Sequence, residues 1–188
     1  MVASGSIVVV CTGNVCRSPY IERRLRQELS GTAITVTSAG TQALVGLDMD
    51  TMTRRLLDRA GADMSDFAAR ELTSELVAAA DLVLTAAREH RSHSVRLHPA
   101  ALSRVLTLRD LADLLEDVTA EDVAATRSGG SWVRQVVATA VSRRALVPAR
   151  QEDVDITDPI GRPPEVFSRM AAEVEAALRP VVAVLRTP

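Results

Sequence analysis

The chain is 188 residues long with a formal net charge of −2, and its acidic and basic residues are interspersed. That size suits one domain, and no basic stripe or polybasic segment points to a nucleic acid or an anionic membrane surface as partner. Apolar residues make up 47% of the chain but aromatics only 2%, so the core must rest on Val, Leu and Ala rather than on rings. No apolar run approaches the length of a bilayer span, and the early IVVV is too short for a signal-peptide core. A cytoplasmic location is expected, where the two cysteines, Cys11 and Cys16, stay reduced.

Residues 1–6 (MVASGS) read as a loose end. Residues 7–10 (IVVV) are a β-branched run before a glycine-bearing turn, the pattern of a strand buried on both faces. The helix that follows is signalled by Ser18 as cap and Pro19 in first position; Ile21, Leu25 and Leu29 share one face before Ser30-Gly31 ends it. Residues 33–37 (AITVT) alternate like a second strand. Residues 50–60 carry Met52, Leu56, Leu57 and Ala60 at helical spacing, and Gly61 is placed to close that helix. A short helix is expected over 73–80, a third strand over 81–85 and a helix over 88–97. A fourth strand over 104–108 leads into a polar helix from Arg109. The stretch 127–131 (RSGGS) is a break, after which Trp132, Val136, Val137, Ala140 and Val141 mark an amphipathic helix. Residues 147–164 read as a loop rich in proline and acid. The last helix, over 166–185, is expected to break or kink near Pro180. Strands alternating with helices specify an α/β fold with a parallel sheet, helices on both faces and ligands outside the carboxyl ends of the strands. No linker or internal repeat divides the chain, so residues 1–188 are read as a single domain.

The chemistry concentrates between the first strand and the first helix, in Cys11-Thr12-Gly13-Asn14-Val15-Cys16-Arg17-Ser18. A short loop running from a strand into a helix N-terminus makes an anion cradle, because successive backbone N–H groups curl inward and the helix end adds partial positive charge. Gly13 and Asn14 tolerate the left-handed backbone that such a curl requires. Arg17 adds a planar fork for two oxygens of a phosphoryl group. A cysteine sulfur aimed at the same point gives up its proton readily and suits attack on phosphorus. Such an attack needs a proton donor for the leaving group. Asp158, in DITDPIGRP, is the best candidate, since Pro159 stiffens the loop behind it; Asp153 and Asp155 are rivals that spacing leaves open. His90, His93 and His98 lie close together but match no usual zinc spacing, and they read as exposed helix and loop histidines.

These residues resemble those of the low-molecular-weight protein tyrosine phosphatase family. VCTGNVCRSP is similar to its N-terminal signature, and the Asp158-Pro159 stretch resembles its general-acid loop. Ser38-Ala39-Gly40-Thr41, Arg70-Glu71-Leu72-Thr73 and Asp81-Leu82-Val83-Leu84-Thr85 fall in the family's order between them. The resemblance implies a three-layer fold around a four-stranded parallel sheet, with the phosphate-binding loop after the first strand. It implies Cys11 as a nucleophile that becomes phosphocysteine and Arg17 as clamp, with Thr12, Gly13, Asn14, Val15 and Cys16 completing the phosphate loop. It further implies that Ser18 steadies the thiolate, Asn14 holds the loop and Asp158 serves as acid, then base. Cys16 becomes a redox spare that forms a reversible disulfide with the nucleophile. No metal or cofactor is called for. The implied partners are a phosphorylated protein substrate and inorganic phosphate or another oxyanion.

Three departures stand out. Ile160 and Gly161 follow Asp158-Pro159 where aromatic residues are usual, Leu44 and Val45 stand where a tryptophan often walls the site, and 117–153 reads as an insertion. A related branch, the bacterial protein-arginine phosphatases, has threonine at the position of Val15. Valine lacks that hydroxyl, so phosphotyrosine is the expected substrate and phosphoarginine the alternative. Two further alternatives share the loop: an arsenate reductase using a small external thiol, and a silent phosphate-binding module.

Overall fold

The computed structural model describes residues 3–126, 128–152 and 154–187. Its elements run, in chain order, β1 (Ser4–Cys11), α1 (Arg17–Glu28), β2 (Ala33–Gly40), α2 (Thr51–Arg59), α3 (Ser74–Ala79), β3 (Leu82–Thr85) and α4 (Arg88–Leu97). They continue with β4 (Val105–Thr107), α5 (Leu108–Leu115), α6 (Ala120–Ala125), α7 (Trp132–Ser142) and α8 (Pro164–Leu185), with short 3₁₀ turns at Pro99–Arg104 and Arg143–Ala145. The four strands form one sheet in the order β2-β1-β3-β4, and every pairing is parallel.

Strand alternation sorts the side chains into two layers. Ile7, Val9 and Cys11 of β1 join a large apolar cluster fed by α1, α2, α5, α7 and α8, while Val8 and Val10 join a smaller one with Val77 of α3 and Leu97 of α4. Helices therefore cover both faces, as expected of the α/β three-layer fold. Each fully buried Leu, Ile or Val contributes roughly 1.5–3 kcal/mol, so an aliphatic core suffices without rings.

Several boundaries differ from expectation for identifiable reasons. Ser4–Ser6, expected in a loose end, pair with residues 33–35 of β2, and Ala3 is buried. That end is held down by α7, which packs so close that a Cβ on Gly5 would lie 2.7 Å from Val133. Ser18 and Pro19 lie inside the first turn of α1, and Cys16 holds the cap position without a side-chain capping bond; the Ser18 hydroxyl is engaged elsewhere. The helix expected to be polar from Arg109 is amphipathic, burying Leu111, Ala112, Leu114 and Leu115. Helix α8 begins at Pro164 and continues through Pro180 without a break. Residues 117–153 hold α6 and α7 and pack against the sheet rather than over the site: Trp132, Val133, Val136 and Ala140 are buried, and the Trp132 indole N–H donates to the Val184 carbonyl at 3.1 Å.

Candidate active site

The loop from β1 into α1 borders a cavity of about 210 Å³ at the carboxyl end of the sheet, where the strand order reverses between β1 and β3. Cys11, Thr12, Gly13, Val15, Cys16, Arg17 and Asp158 all line it, together with Gln42, Leu44 and Ile160. The carbonyls of Cys11, Thr12, Gly13 and Val15 accept from the N–H groups of Thr41, Gln42, Leu44 and Asp50 at 2.9–3.0 Å. No peptide bond described is cis. In a trans peptide the N–H points opposite to the carbonyl it follows, so the amides of Thr12, Gly13, Asn14 and Cys16 are turned away from this outer segment. Gly40 makes the arrangement sterically possible, because a Cβ there would lie 2.3 Å from the Thr12 carbonyl oxygen.

Asn14 is in the left-handed region with φ 55° and is fully buried, and its amide orientation is decided by its neighbours. Its Oδ1 accepts from the Arg70 backbone N–H at 3.0 Å, which leaves Nδ2 to donate to Ser18 Oγ at 2.9 Å and to Ser38 Oγ at 2.8 Å. Ser38 in turn donates to the buried Glu22 carboxylate at 2.5 Å. Ser18 Oγ, already an acceptor from Asn14, lies 2.9 Å from Cys11 Sγ, so its own hydrogen is free to point at the sulfur. A relay thus runs from Glu22 through Ser38, Asn14 and Ser18 to Cys11. Both cysteines are free thiols and buried. Burial, aided by the Asp50 charge, pushes the Cys16 thiol up to about 12, so it remains protonated at neutral pH.

Arg17 is buried, and its Nη2 donates to Asp158 Oδ2 at 2.6 Å and to Thr12 Oγ1 at 3.3 Å. Asp158 is the member of this pair that faces solvent, with 44% of its side chain exposed. Its rival Asp155 is turned elsewhere, accepting from the Arg88 backbone N–H at 2.8 Å; Asp153 lies outside the described residues.

His90, expected to be exposed, is 1% exposed and sits behind the loop, with Nε2 2.9 Å from Thr12 Oγ1. Its Nδ1 is buried without a partner, which favours placing the ring proton on Nε2, where Thr12 Oγ1 accepts it and Glu89 Oε1 lies 3.3 Å away. Burial first, then the Arg17 charge, pulls its pKa down from 6.5 to about 4, with Asp155 opposing and His93 adding to the shift. A depressed histidine pKa means that the unfolded chain binds the proton more readily. The associated stability is therefore complete above about pH 6.5 and is lost as pH falls toward 4. Urea titrations from pH 7 to 4 are expected to show a steeper loss in the wild type than in His90→Gln, by on the order of 3 kcal/mol. Parallel curves would contradict a buried neutral imidazole. Among the described residues, no group of three or more His, Cys, Asp or Glu side chains is placed to hold a metal ion.

The profile of the low molecular weight phosphotyrosine protein phosphatase family matches residues 6–124. The chain belongs to this family. It is 35% identical over 103 residues to the low molecular weight protein-tyrosine-phosphatase Ptp of Acinetobacter johnsonii, a match covering 55% of this chain and 71% of that one. Among solved structures it is similar to Vibrio vulnificus Wzb in complex with benzylphosphonate, with 26% identity, a TM-score of 0.64 and 93% and 94% of the two chains covered. The YwlE arginine phosphatase of Geobacillus stearothermophilus shares the fold at 24% identity and a TM-score of 0.66, over 95% and 90% of the two chains.

In this phosphatase the residues singled out by sequence either line the cavity or, as Asn14 and Ser18, brace it from behind. Sequence reasoning missed the supports: Glu22, the Ser38 side chain, the Arg70 backbone N–H and His90. A signal was available for Glu22, which follows Asn14 and Ser18 at four-residue steps and sits beside buried Ile21 on the inner side of α1.

Proposed function

We propose that the chain hydrolyses phosphotyrosine in proteins through a phosphocysteine formed on Cys11. The observation that carries this reading is the convergence of a cysteine sulfur, a buried guanidinium and a half-exposed carboxylate on one cavity of about 210 Å³. Cys11 Sγ attacks phosphorus, and the bond to the tyrosine oxygen breaks as Asp158 delivers a proton to it. Arg17 and the loop amides hold the equatorial oxygens, so the developing charge is met by donors already in place. Asp158 then takes a proton from water, which attacks the phosphocysteine and releases phosphate and the thiolate. The incoming phosphoryl group takes Arg17 from Asp158, which frees the carboxylate to face the leaving oxygen. Cys16 holds its proton and so does not compete with Cys11 for phosphorus. Its proposed role is as the thiol that condenses with a Cys11 sulfenic acid, releasing water and forming a disulfide. Peptide maps after peroxide that lack this disulfide would remove that role. A mechanism resting on a free thiol suits a reducing compartment, and the proposed location is the cytoplasm.

Val15 supports phosphotyrosine over phosphoarginine. It lines the cavity with Leu44 and Ile160, giving apolar walls for a ring and no hydroxyl for a guanidinium-linked phosphate. The benzylphosphonate held by Vibrio vulnificus Wzb has that same ring-and-phosphorus chemistry. The test is kcat/KM on matched phosphotyrosine and phosphoarginine peptides. Wild type is expected to favour phosphotyrosine, and Val15→Thr to move the ratio toward phosphoarginine by about 5–10-fold, the worth of one added hydrogen bond. Faster phosphoarginine hydrolysis by the wild type would install the alternative substrate instead.

A further inference from the structure

A second cleft, of about 410 Å³, opens between the start of α4, α5 and the end of the 117–153 insertion. Among the described residues, Arg88, Arg91, Arg144 and Arg150 line it together with two acids, Asp110 and Asp113. Arg150 and Asp113 neutralise each other through two bonds of 2.9 and 2.5 Å. Among the described residues Arg88, Arg91 and Arg144 take part in no ion pair, and Arg88 and Arg144 are exposed. Three unpaired guanidiniums against one unpaired carboxylate leave the cleft positive, on a chain whose net charge is −2. Leu114, Val147, Pro148 and Ala149 add apolar lining. Arginines beside apolar lining fit an extended acidic peptide, which offers carboxylates to the guanidiniums and side-chain carbons to the apolar residues.

The cleft is also coupled to the acid loop. The Arg88 backbone N–H holds Asp155, and Arg88 Nη2 donates to the Arg150 carbonyl at 3.0 Å. Two residues separate Asp155 from Asp158, so their Cα atoms lie within about 11 Å, a span that three or four residues of extended peptide cover. A chain whose phosphoresidue occupies the Cys11 cavity can therefore reach the Arg88 side of the cleft with neighbouring residues. Residues 143–150 of the cleft lie beyond the 6–124 segment matched by the family profile.

We infer that the arginine-lined cleft is a docking site for acidic residues flanking the phosphotyrosine of the protein substrate. This rests on the phosphatase reading, and the two are separable by experiment. Two phosphotyrosine peptides are compared that differ only in carrying three Glu or three Gln, placed three to six residues from the phosphotyrosine. A small aryl phosphate, too short to reach the cleft, serves as control. Wild type is expected to favour the Glu peptide in kcat/KM by about 5–10-fold at low salt, with the gap closing as salt screens it. Arg144→Glu and the double variant Arg88→Ala/Arg144→Ala are expected to abolish the preference while aryl phosphate turnover stays unchanged. Fluorescence anisotropy with the labelled, unphosphorylated Glu peptide reads docking without turnover, and binding is expected to weaken in both variants. Equal rates on the Glu and Gln peptides, with normal aryl phosphate turnover, would overturn the docking site and leave the phosphatase standing. Absence of aryl phosphate turnover would overturn the phosphatase reading instead, and charge-dependent anisotropy would then still support an acidic-peptide site. Glu-peptide binding unaffected by either variant would overturn the cleft as the site.

Discussion

Replacing Cys11 with serine is expected to lower turnover by about 10⁴-fold or more while leaving phosphate binding intact. The binding elements are unchanged by that substitution. The amide cradle is backbone, fixed by the bonds from Thr41, Gln42, Leu44 and Asp50, and Arg17 is anchored through Thr12 and Asp158. What is lost is the nucleophile, because a serine hydroxyl here has no adjacent general base. The polar partner at position 11, Ser18 Oγ, is itself a hydroxyl and too weak a base to take the serine proton. Calorimetric titration with inorganic phosphate, beside aryl phosphate turnover, separates the two effects. Turnover within tenfold of wild type would remove Cys11 from the nucleophile's place; loss of phosphate binding as well would mean that the sulfur shapes the cradle.

The loop was legible in the sequence because its requirements are local. A buried β-branched run, Gly13-Asn14 and an arginine at a helix start need no distant partner to be recognised, and Asn14 adopts the left-handed backbone that its residue type allows. The exact helix start was not legible. Ser18 is a good capping residue by type, but its hydroxyl bonds toward Cys11, and that preference depends on Asn14 and on Ser38, which lies 20 residues further along the chain. His90 was misread for a similar reason. The α4 sequence REHRSHSVRL is polar nearly throughout, and its buried residues are His90 and Ser94, one turn apart, with Ser94 donating to the His90 carbonyl at 2.8 Å. Periodicity of apolar residues cannot find a buried stripe that is itself polar. Asp158 falls between these cases. Its loop and its chemistry were legible, but its rival Asp155 was set aside only when the fold put that side chain on the Arg88 amide.

The Arg17–Asp158 contact sets up the second large effect. Asp158→Ala is expected to lower kcat on phosphotyrosine peptides by roughly 10²–10⁴-fold, the range of general acid catalysis. Tyrosine leaves as a poor phenoxide unless protonated, its hydroxyl having a pKa of about 10, whereas an activated aryl ester with an acidic phenol leaves without help. The loss on such an ester is therefore expected to be much smaller. Binding should move the other way. In the free protein a substrate phosphate competes with Asp158 for Arg17, held at 2.6 Å, and one partner of that pair is 44% exposed. Solvent screening limits such a pair to roughly 0.2–1 kcal/mol, so removing Asp158 should tighten inhibition by inorganic phosphate by up to about fivefold. Asp158→Asn keeps the size and a hydrogen-bond acceptor for Arg17 but has no proton of the right acidity to give, so it should lose kcat as alanine does without the same gain in phosphate affinity. Equal losses on good and poor leaving groups would make Asp158 a structural brace for Arg17 rather than the acid, and phosphate inhibition unchanged in Asp158→Ala would mean that the carboxylate does not compete with phosphate for Arg17.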